Sequence, residues 1–214
     1  MGDDVNIKKK SENFAVQLRK DRRQEAIKKR KYKSGNEKQE QPMGNLGAQG
    51  VVDIGCDPTD LTIEQAFELQ QQRQYPLEIF INNVAVKMKF KVEDLPRLVE
   101  MIHSQDTQTK LFACIGIRKL LSIENGPPIQ PVIDANLIRL FIELLSHEIP
   151  KFQFEAAWCL TNIASGKTDH VVALIERDVI PHFVKLMDSE HFEVVDQAVW
   201  GLGNIAGDNI FARD

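Results

Sequence analysis

The sequence predicts an all-α solenoid of stacked helical repeats, and three observations predict it. The chain has 214 residues and is 43% hydrophobic, which is enough apolar material for one substantial core or a short repeat array. A unit with helical periodicity recurs along its second half. Prolines stand close to where the helices of this unit would begin, at positions where a helix loses no hydrogen bond.

The repeat is clearest in two copies of one motif. EAAWCLTNIASG at 155–166 aligns with QAVWGLGNIAGD at 197–208, a shift of 42 residues. A third, fainter copy lies 43 residues earlier and reaches Ser122. This period is typical of armadillo and HEAT repeats, whose units stack because one unit alone cannot bury its apolar face. We therefore expect about three repeats and a curved solenoid with a groove.

Each unit contains a short apolar stretch, at 129–135 and 171–177, then a helix that opens near a proline, and then a longer helix. The two long helices are predicted at 153–165 and 192–206, and Pro96 and Pro181 mark the openings of two of the shorter helices. Pro127 and Pro128 separate the first unit from the second.

Residues 67–91 do not fit the repeat. Val84, Val86, Met88 and Phe90 alternate there with less apolar residues, a pattern typical of a β-strand. We expect either an inserted hairpin or a disordered loop.

Charge is divided unevenly along the chain, whose net charge is −4. Between residues 8 and 33 there are twelve basic and three acidic residues, so the rest of the chain carries −13. A basic arm attached to an acidic body indicates a partner for the arm, the body or both. Residues 34–60 are rich in Gly, Asn, Gln and Asp and read as a flexible linker.

Several function classes are disfavoured. No apolar run of 18 residues and no secretory signal is present, so we expect an intracellular chain without a membrane span. The three cysteines form no CxxC pair, and we expect them reduced, two of them in the core. The histidines have no metal-ligand spacing and no acid pair or nucleophile set stands out, so we expect no enzyme, metal or cofactor.

The candidate binding residues are two Trp and Asn pairs, Trp158 with Asn162 and Trp200 with Asn204. Residues four apart lie on one face of a helix, and a single such pair is usually structural. Two stacked pairs instead predict a ladder of indoles and carboxamides. Asn can hold a peptide backbone and indoles can hold Lys or Arg stems, and Asp208 is the candidate partner for a cargo ammonium group.

These motifs, together with IRKLLSIENGPPIQPVIDAN at 117–136 and FAVQLRKDRRQEAIKKRK at 14–31, closely resemble the importin alpha family of nuclear import adaptors. The resemblance implies a chain that shuttles between cytoplasm and nucleus, binds importin beta and cargo with lysine-rich nuclear localisation signals, and does not bind nucleic acid directly. It also divides the chain into an importin-beta-binding arm (1–33), a linker (34–66), a divergent insertion (67–91) and armadillo repeats of a right-handed solenoid (92–214).

The resemblance also assigns residues. It implies that the cargo groove is lined by Trp158, Asn162, Ser165, Gly166, Gln197, Trp200, Asn204 and Asp208. In the arm, which we expect to be disordered or helical, it implies importin beta contacts and an autoinhibitory cluster at Arg19, Lys20, Arg22, Arg23, Lys28, Lys29 and Arg30. Val171 departs from the family's Thr at a position that helps to bind the key lysine, which weakens the expected affinity for cargo.

Three alternatives stay open. The repeats are also compatible with a signalling armadillo scaffold of the beta-catenin kind, and a basic tail also suits nucleic acid. The third alternative arises because the sequence stops within the third repeat, so we expect an exposed apolar end and marginal stability. A chain truncated in this way would sequester importin beta without carrying cargo.

Overall fold

A computed structural model describes residues 56–208, and all its regular elements are helical. A short 3₁₀ turn, Pro58–Asp60, precedes the first helix, and another, Val92–Asp94, precedes the first repeat. The π-helical turn Ile81–Ala85 follows the second helix directly. The α-helices, in chain order, are α1 (Ile63–Arg73), α2 (Leu77–Phe80), α3 (Leu95–Ile102), α4 (Thr107–Leu121), α5 (Ile129–Asp134), α6 (Leu137–Leu144), α7 (Pro150–Ala164), α8 (Thr168–Ile175), α9 (Val179–Leu186) and α10 (Phe192–Asp208).

The repeats follow this order. Repeat 1 consists of α3 and α4, repeat 2 of α5, α6 and α7, and repeat 3 of α8, α9 and α10. In each repeat the last helix is the longest, and these long helices pack in series, α4 against α7 and α7 against α10. The expected all-α solenoid of armadillo type is therefore confirmed.

Helix ends follow the local sequence. Asp106 caps α4 by accepting a hydrogen bond of 2.7 Å from the backbone N–H of Thr109, which satisfies one of the free donors in the first turn. Pro150 opens α7 at a position where its missing N–H costs nothing. The long helices start or end within three residues of the bounds that the periodicity predicts.

One sharp turn recurs in repeats 2 and 3. Asn136 and Asp178, which lie 42 residues apart, immediately precede the second helix of each repeat and have φ of 56° and 55°. Only Gly enters this left-handed region freely, and Asn and Asp tolerate it better than other residues. The turn is therefore built into the repeat unit at a small cost in backbone energy.

The core runs continuously through all three repeats. Phe112, Phe141, Phe152 and Phe183, from four different helices, are fully buried. At the N-terminal end Phe112 lies within 6 Å, centroid to centroid, of Phe67, Phe80 and Phe90. Adjacent repeats share apolar surface throughout, as a stacked array requires.

The strand expected at 84–90 is wrong. Ile81–Ala85 forms a π-helical turn, with Val84 fully buried and Met88 only 1% exposed. Residues i and i+4 share a face in a helix as well as in a strand, so the alternation did not distinguish the two. Helix α1 begins at Ile63 and so crosses the predicted boundary between linker and insertion at residue 66.

The three cysteines differ in their burial. Cys114 and Cys159 are buried and Cys56 is exposed, so two of the three cysteines lie in the core as expected. Burial raises the pKa of the Cys159 thiol.

Between residues 56 and 208 no helix is both long and apolar enough to cross a bilayer.

Candidate functional site: a Trp and Asn face on the long helices

The two predicted Trp and Asn pairs lie on neighbouring long helices. Trp158 and Asn162 are on α7, and Trp200 and Asn204 are on α10, which packs directly against α7. Both tryptophans are half-buried, so part of each indole faces solvent. We call the surface formed by these four residues the ladder face.

The carboxamides are tied to the preceding repeat. Nδ2 of Asn204 donates to the carbonyl oxygen of Thr161 at 3.1 Å. Nδ2 of Asn162 donates to Oγ of Ser122 at 2.9 Å and lies 3.5 Å from the carbonyl oxygen of Arg118. Each Asn therefore helps to register its repeat on the one before it. Asn162 is fully buried, whereas Asn204 is half-buried, so of the two carboxamides that of Asn204 is the one partly exposed to solvent.

Lys119 makes the corresponding bond one repeat earlier, 43 residues before Asn162. Its Nζ donates to the carbonyl oxygens of Val86, at 2.7 Å, and of Met88, and lies 5.7 Å from the centroid of the Phe90 ring. Residues 86–90 therefore accept from Lys119 of repeat 1 the kind of bond that repeat 1 accepts from Asn162 of repeat 2. This part of the segment 67–91, which does not fit the repeat, covers the N-terminal edge of repeat 1.

The remaining predicted groove residues lie close to the ladder residues along the chain. Ser165 follows the last residue of α7, and its Oγ donates to the carbonyl oxygen of Asn162 at 2.7 Å. Gln197 is 7% exposed, and its carbonyl oxygen accepts a bond from Oγ1 of Thr161 at 3.2 Å. Gly166 is buried. Asp208 is the last residue of α10, but its side chain lies outside the described residues, as do the seven basic residues predicted in the arm.

Gly166 is fixed by its surroundings. A Cβ there would collide with Nδ1 of His170 and would lie 3.0 Å from Cδ1 of Ile129 and 3.1 Å from the carbonyl oxygen of Ile163. His170 Nδ1 in turn accepts a hydrogen bond of 3.1 Å from the backbone N–H of Lys167 and so caps α8. The turn after the ladder face therefore admits no side chain at residue 166.

The same turn depends on an uncharged imidazole. Burial, assisted by the charge of Lys167, lowers the pKa of His170. A neutral ring can accept the capping bond at Nδ1, whereas a protonated ring cannot. The capped form of the turn is therefore the one present at neutral pH.

Trp158 has a cation against its ring. The guanidinium carbon of Arg118 lies 4.6 Å from the indole centroid, and Nε of Arg118 is paired with Oε2 of Glu155 at 2.7 Å. Glu155 is fully buried and also lies 3.2 Å from Nζ of Lys151. Phe154 packs edge-on against Trp158 with 5.4 Å between ring centroids. The indole is thus held by groups from its own helix and from the previous repeat.

Sequence reasoning missed Arg118, Lys119 and Glu155. The repeat alignment carried a signal for Glu155, because it aligns with Gln197, and both are buried polar residues three positions before the tryptophan. A polar residue on a helix face that packs between repeats indicates a specific partner. Arg118 lies 37 residues from Glu155, so only the stacking of repeats reveals the pair.

Comparisons with known proteins agree with this architecture. The family model for the armadillo/beta-catenin-like repeat matches residues 127–165 and 167–207. Importin subunit alpha-2 of Arabidopsis thaliana is 49% identical over 125 residues, which is 58% of this chain and 23% of that protein. The repeats are related to those of importin alpha subunits. Importin subunit alpha-1b of Oryza sativa subsp. japonica is 48% identical over the same shares of both chains, so the match to these importin alpha relatives spans about a quarter of their length.

A designed armadillo repeat protein in complex with the peptide (KR)4 is similar in structure. The TM-score is 0.53 with 26% identity, and the match covers 73% of this chain and 64% of that one. A computationally designed armadillo repeat protein for modular peptide recognition has a TM-score of 0.55 at 22% identity, over 75% of this chain and 76% of the other. The second likeness concerns the fold alone.

Proposed function

We propose that the ladder face binds an extended Lys- and Arg-rich peptide, and that the chain is a nuclear import adaptor which recruits importin beta through its basic arm. The observation that carries the proposal is the pair of half-exposed indoles on adjacent helices, with a carboxamide one turn beyond each. Cargo proteins with nuclear localisation signals would be the ligands, and the chain would act in both cytoplasm and nucleus.

The chemistry of the ladder face suits such a peptide. The Nδ2 of each Asn donates to the previous repeat. Asn162 is fully buried, so the half-buried Asn204 is the residue whose Oδ1 can accept a hydrogen bond from a peptide N–H. Partly exposed indoles offer apolar walls to the methylene stems of Lys and Arg, and each cation–π contact contributes about 0.5–2 kcal/mol. Binding of this kind reads the backbone and the positive charge more than the order of the residues.

Space beside Trp200 favours close approach of a backbone. Gly203 and Gly207 lie three and seven residues after Trp200, and nothing stands within 4 Å of where their Cβ atoms would be. Residues at these spacings share a helix face. A bound peptide could therefore lie directly against the backbone of α10.

Charge outside the ladder face contributes as well. The chain outside its basic arm carries −13, which attracts a cationic ligand over distances up to about one Debye length. Glu155 is already paired with two cations. We therefore assign the ion pair with the ammonium group of a cargo lysine to Asp208. The autoinhibitory cluster Lys28, Lys29 and Arg30 would compete for the same surface from within the chain.

Peptide titration tests the groove. A fluorescent (KR)4 peptide is titrated with the full chain, with Trp158→Ala/Trp200→Ala, and with Val184→Ala as a control on α9, where Val184 is 52% exposed. We expect the double variant to lose about tenfold or more in affinity from two cation–π contacts, and the control to bind as the parent does. Equal binding by all three would remove the ladder face from the mechanism.

Capture on immobilised importin beta tests the arm. The full chain is compared with a variant in which Arg19, Lys20, Arg22 and Arg23 are changed to Glu. We expect the charge-reversed chain to be lost from the beads. Retention of both would show that the arm does not recruit importin beta, and a scaffold role would then be favoured.

A further inference from the structure

We propose that Arg118 closes the ladder face at Trp158, so that the part of a bound peptide that reaches repeat 1 must be neutral or acidic. This inference rests on the proposed peptide-binding function and deepens it. It makes Arg118 a specificity-determining residue that sets where the run of basic peptide residues must end.

The geometry places Arg118 as an internal occupant of one indole face. It comes from α4 in repeat 1, and its guanidinium carbon lies 4.6 Å from the centroid of Trp158. A cation at this distance takes the position that a peptide Lys or Arg would otherwise take. The face of Trp158 directed towards repeat 1 is therefore filled, and a peptide cation has access only from the side of Trp200.

Arg118 is held firmly in this position. Its Nε is 2.7 Å from Oε2 of Glu155, and the side chains of Arg118 and Glu155 are 12% and 0% exposed. Moving the guanidinium away would leave a buried carboxylate short of its nearest cation, which costs far more than breaking an exposed ion pair. An incoming peptide cation therefore cannot displace Arg118 cheaply.

The charges around this end repel cations. Arg118 and Lys151 both lie within 4.0 Å of one carboxylate, Glu155. Lys119, the next residue after Arg118, adds a third cation at this end of α4, where its Nζ is bonded to the carbonyl oxygens of Val86 and Met88. The group carries a net charge of about +2 in the usual ionisation states. Basic flanking residues are disfavoured here, whereas acidic ones are attracted.

Acrylamide quenching tests the covering of Trp158 without any peptide. In a Trp200→Phe background Trp158 is the only tryptophan, since the chain has two. Arg118→Met is combined with Glu155→Gln so that no buried charge is left unpaired, and Lys151→Met is the matched control because it removes the other cation paired with Glu155. We expect the quenching constant to rise about twofold in the Arg118 variant, because a second ring face opens, and to stay unchanged in the control. No rise in the Arg118 variant would overturn the inference.

Peptide flanks test the consequence for specificity. The full chain is titrated with (KR)4 extended at either end by Asp-Asp, Ser-Ser or Lys-Lys. At one end we expect the Asp-Asp form to bind about three- to tenfold more tightly than the Lys-Lys form, beyond any difference at the other end. In Arg118→Met/Glu155→Gln this excess should disappear, and its persistence would refute the role of Arg118. Failure of every peptide to bind would refute the proposed function, while the quenching result would still decide whether Arg118 covers the indole.

Discussion

Replacing Asn162 by Ala should destabilise the fold as well as affect peptide binding. Asn162 is fully buried and donates to Ser122 at 2.9 Å, with a weaker contact of 3.5 Å to the Arg118 carbonyl. One good hydrogen bond contributes about 1 kcal/mol and the cavity left by a truncated amide adds about as much again. We therefore expect Asn162→Ala to lower the free energy of unfolding by about 2 kcal/mol.

Asn204→Ala should cost about half as much. Asn204 is only half-buried, so water can fill part of the space and solvate the Thr161 carbonyl that loses its donor. Urea unfolding of the full chain, followed by circular dichroism, measures both variants. With an m-value of about 2 kcal/mol/M, the midpoint should shift by about 1 M for Asn162→Ala and about 0.5 M for Asn204→Ala.

The control for these variants is Asn82→Ala, because Asn82 is an exposed Asn outside the ladder face. Its midpoint should stay within error of the parent. A shift for Asn162→Ala no larger than that of the control would refute the idea that the carboxamides register the repeats.

Three further predictions concern the turns of repeats 2 and 3. Asp178→Gly should raise the thermal midpoint, because Gly relieves a left-handed φ of 55° at a gain of about 1 kcal/mol, and calorimetry showing no rise would contradict this. The folded state lowers the pKa of His170 and so favours its neutral form, and we therefore expect stability to fall as the pH drops below about 6.5. Urea midpoints measured from pH 7.5 to 5 should depend less on pH in His170→Gln than in the parent. An unchanged pH dependence would show that His170 is not the group responsible. Gly166→Ala should destabilise the fold, because its Cβ would collide with His170, and a urea midpoint equal to that of the parent would show that the turn can yield.

Much of the fold could be predicted because the repeat imposes one pattern twice. The 42-residue shift located α7 and α10, and helical periodicity gave their bounds closely. The segment around Val84 and Met88 could not be resolved in the same way, since both residues satisfy a strand and a helix pattern. Its role as a cover for repeat 1 depends on Lys119, whose bonds span more than 30 residues.

The candidate site shows the same division. The tryptophans and carboxamides were predicted from their spacing on one helix face, which requires no tertiary information. The cation on Trp158 was not, because Arg118 reaches it from another repeat and its hold depends on the buried Glu155. Contacts between repeats depend on how the repeats stack. The residue pattern of a single helix cannot specify which side chains of neighbouring repeats meet.

A structure of the full chain bound to (KR)4 would test the central claim most directly. The claim predicts an extended peptide across α7 and α10, with a basic side chain between Trp158 and Trp200 and a peptide backbone group against Asn204. A peptide bound elsewhere on the repeats, with both indoles free of it, would contradict the claim.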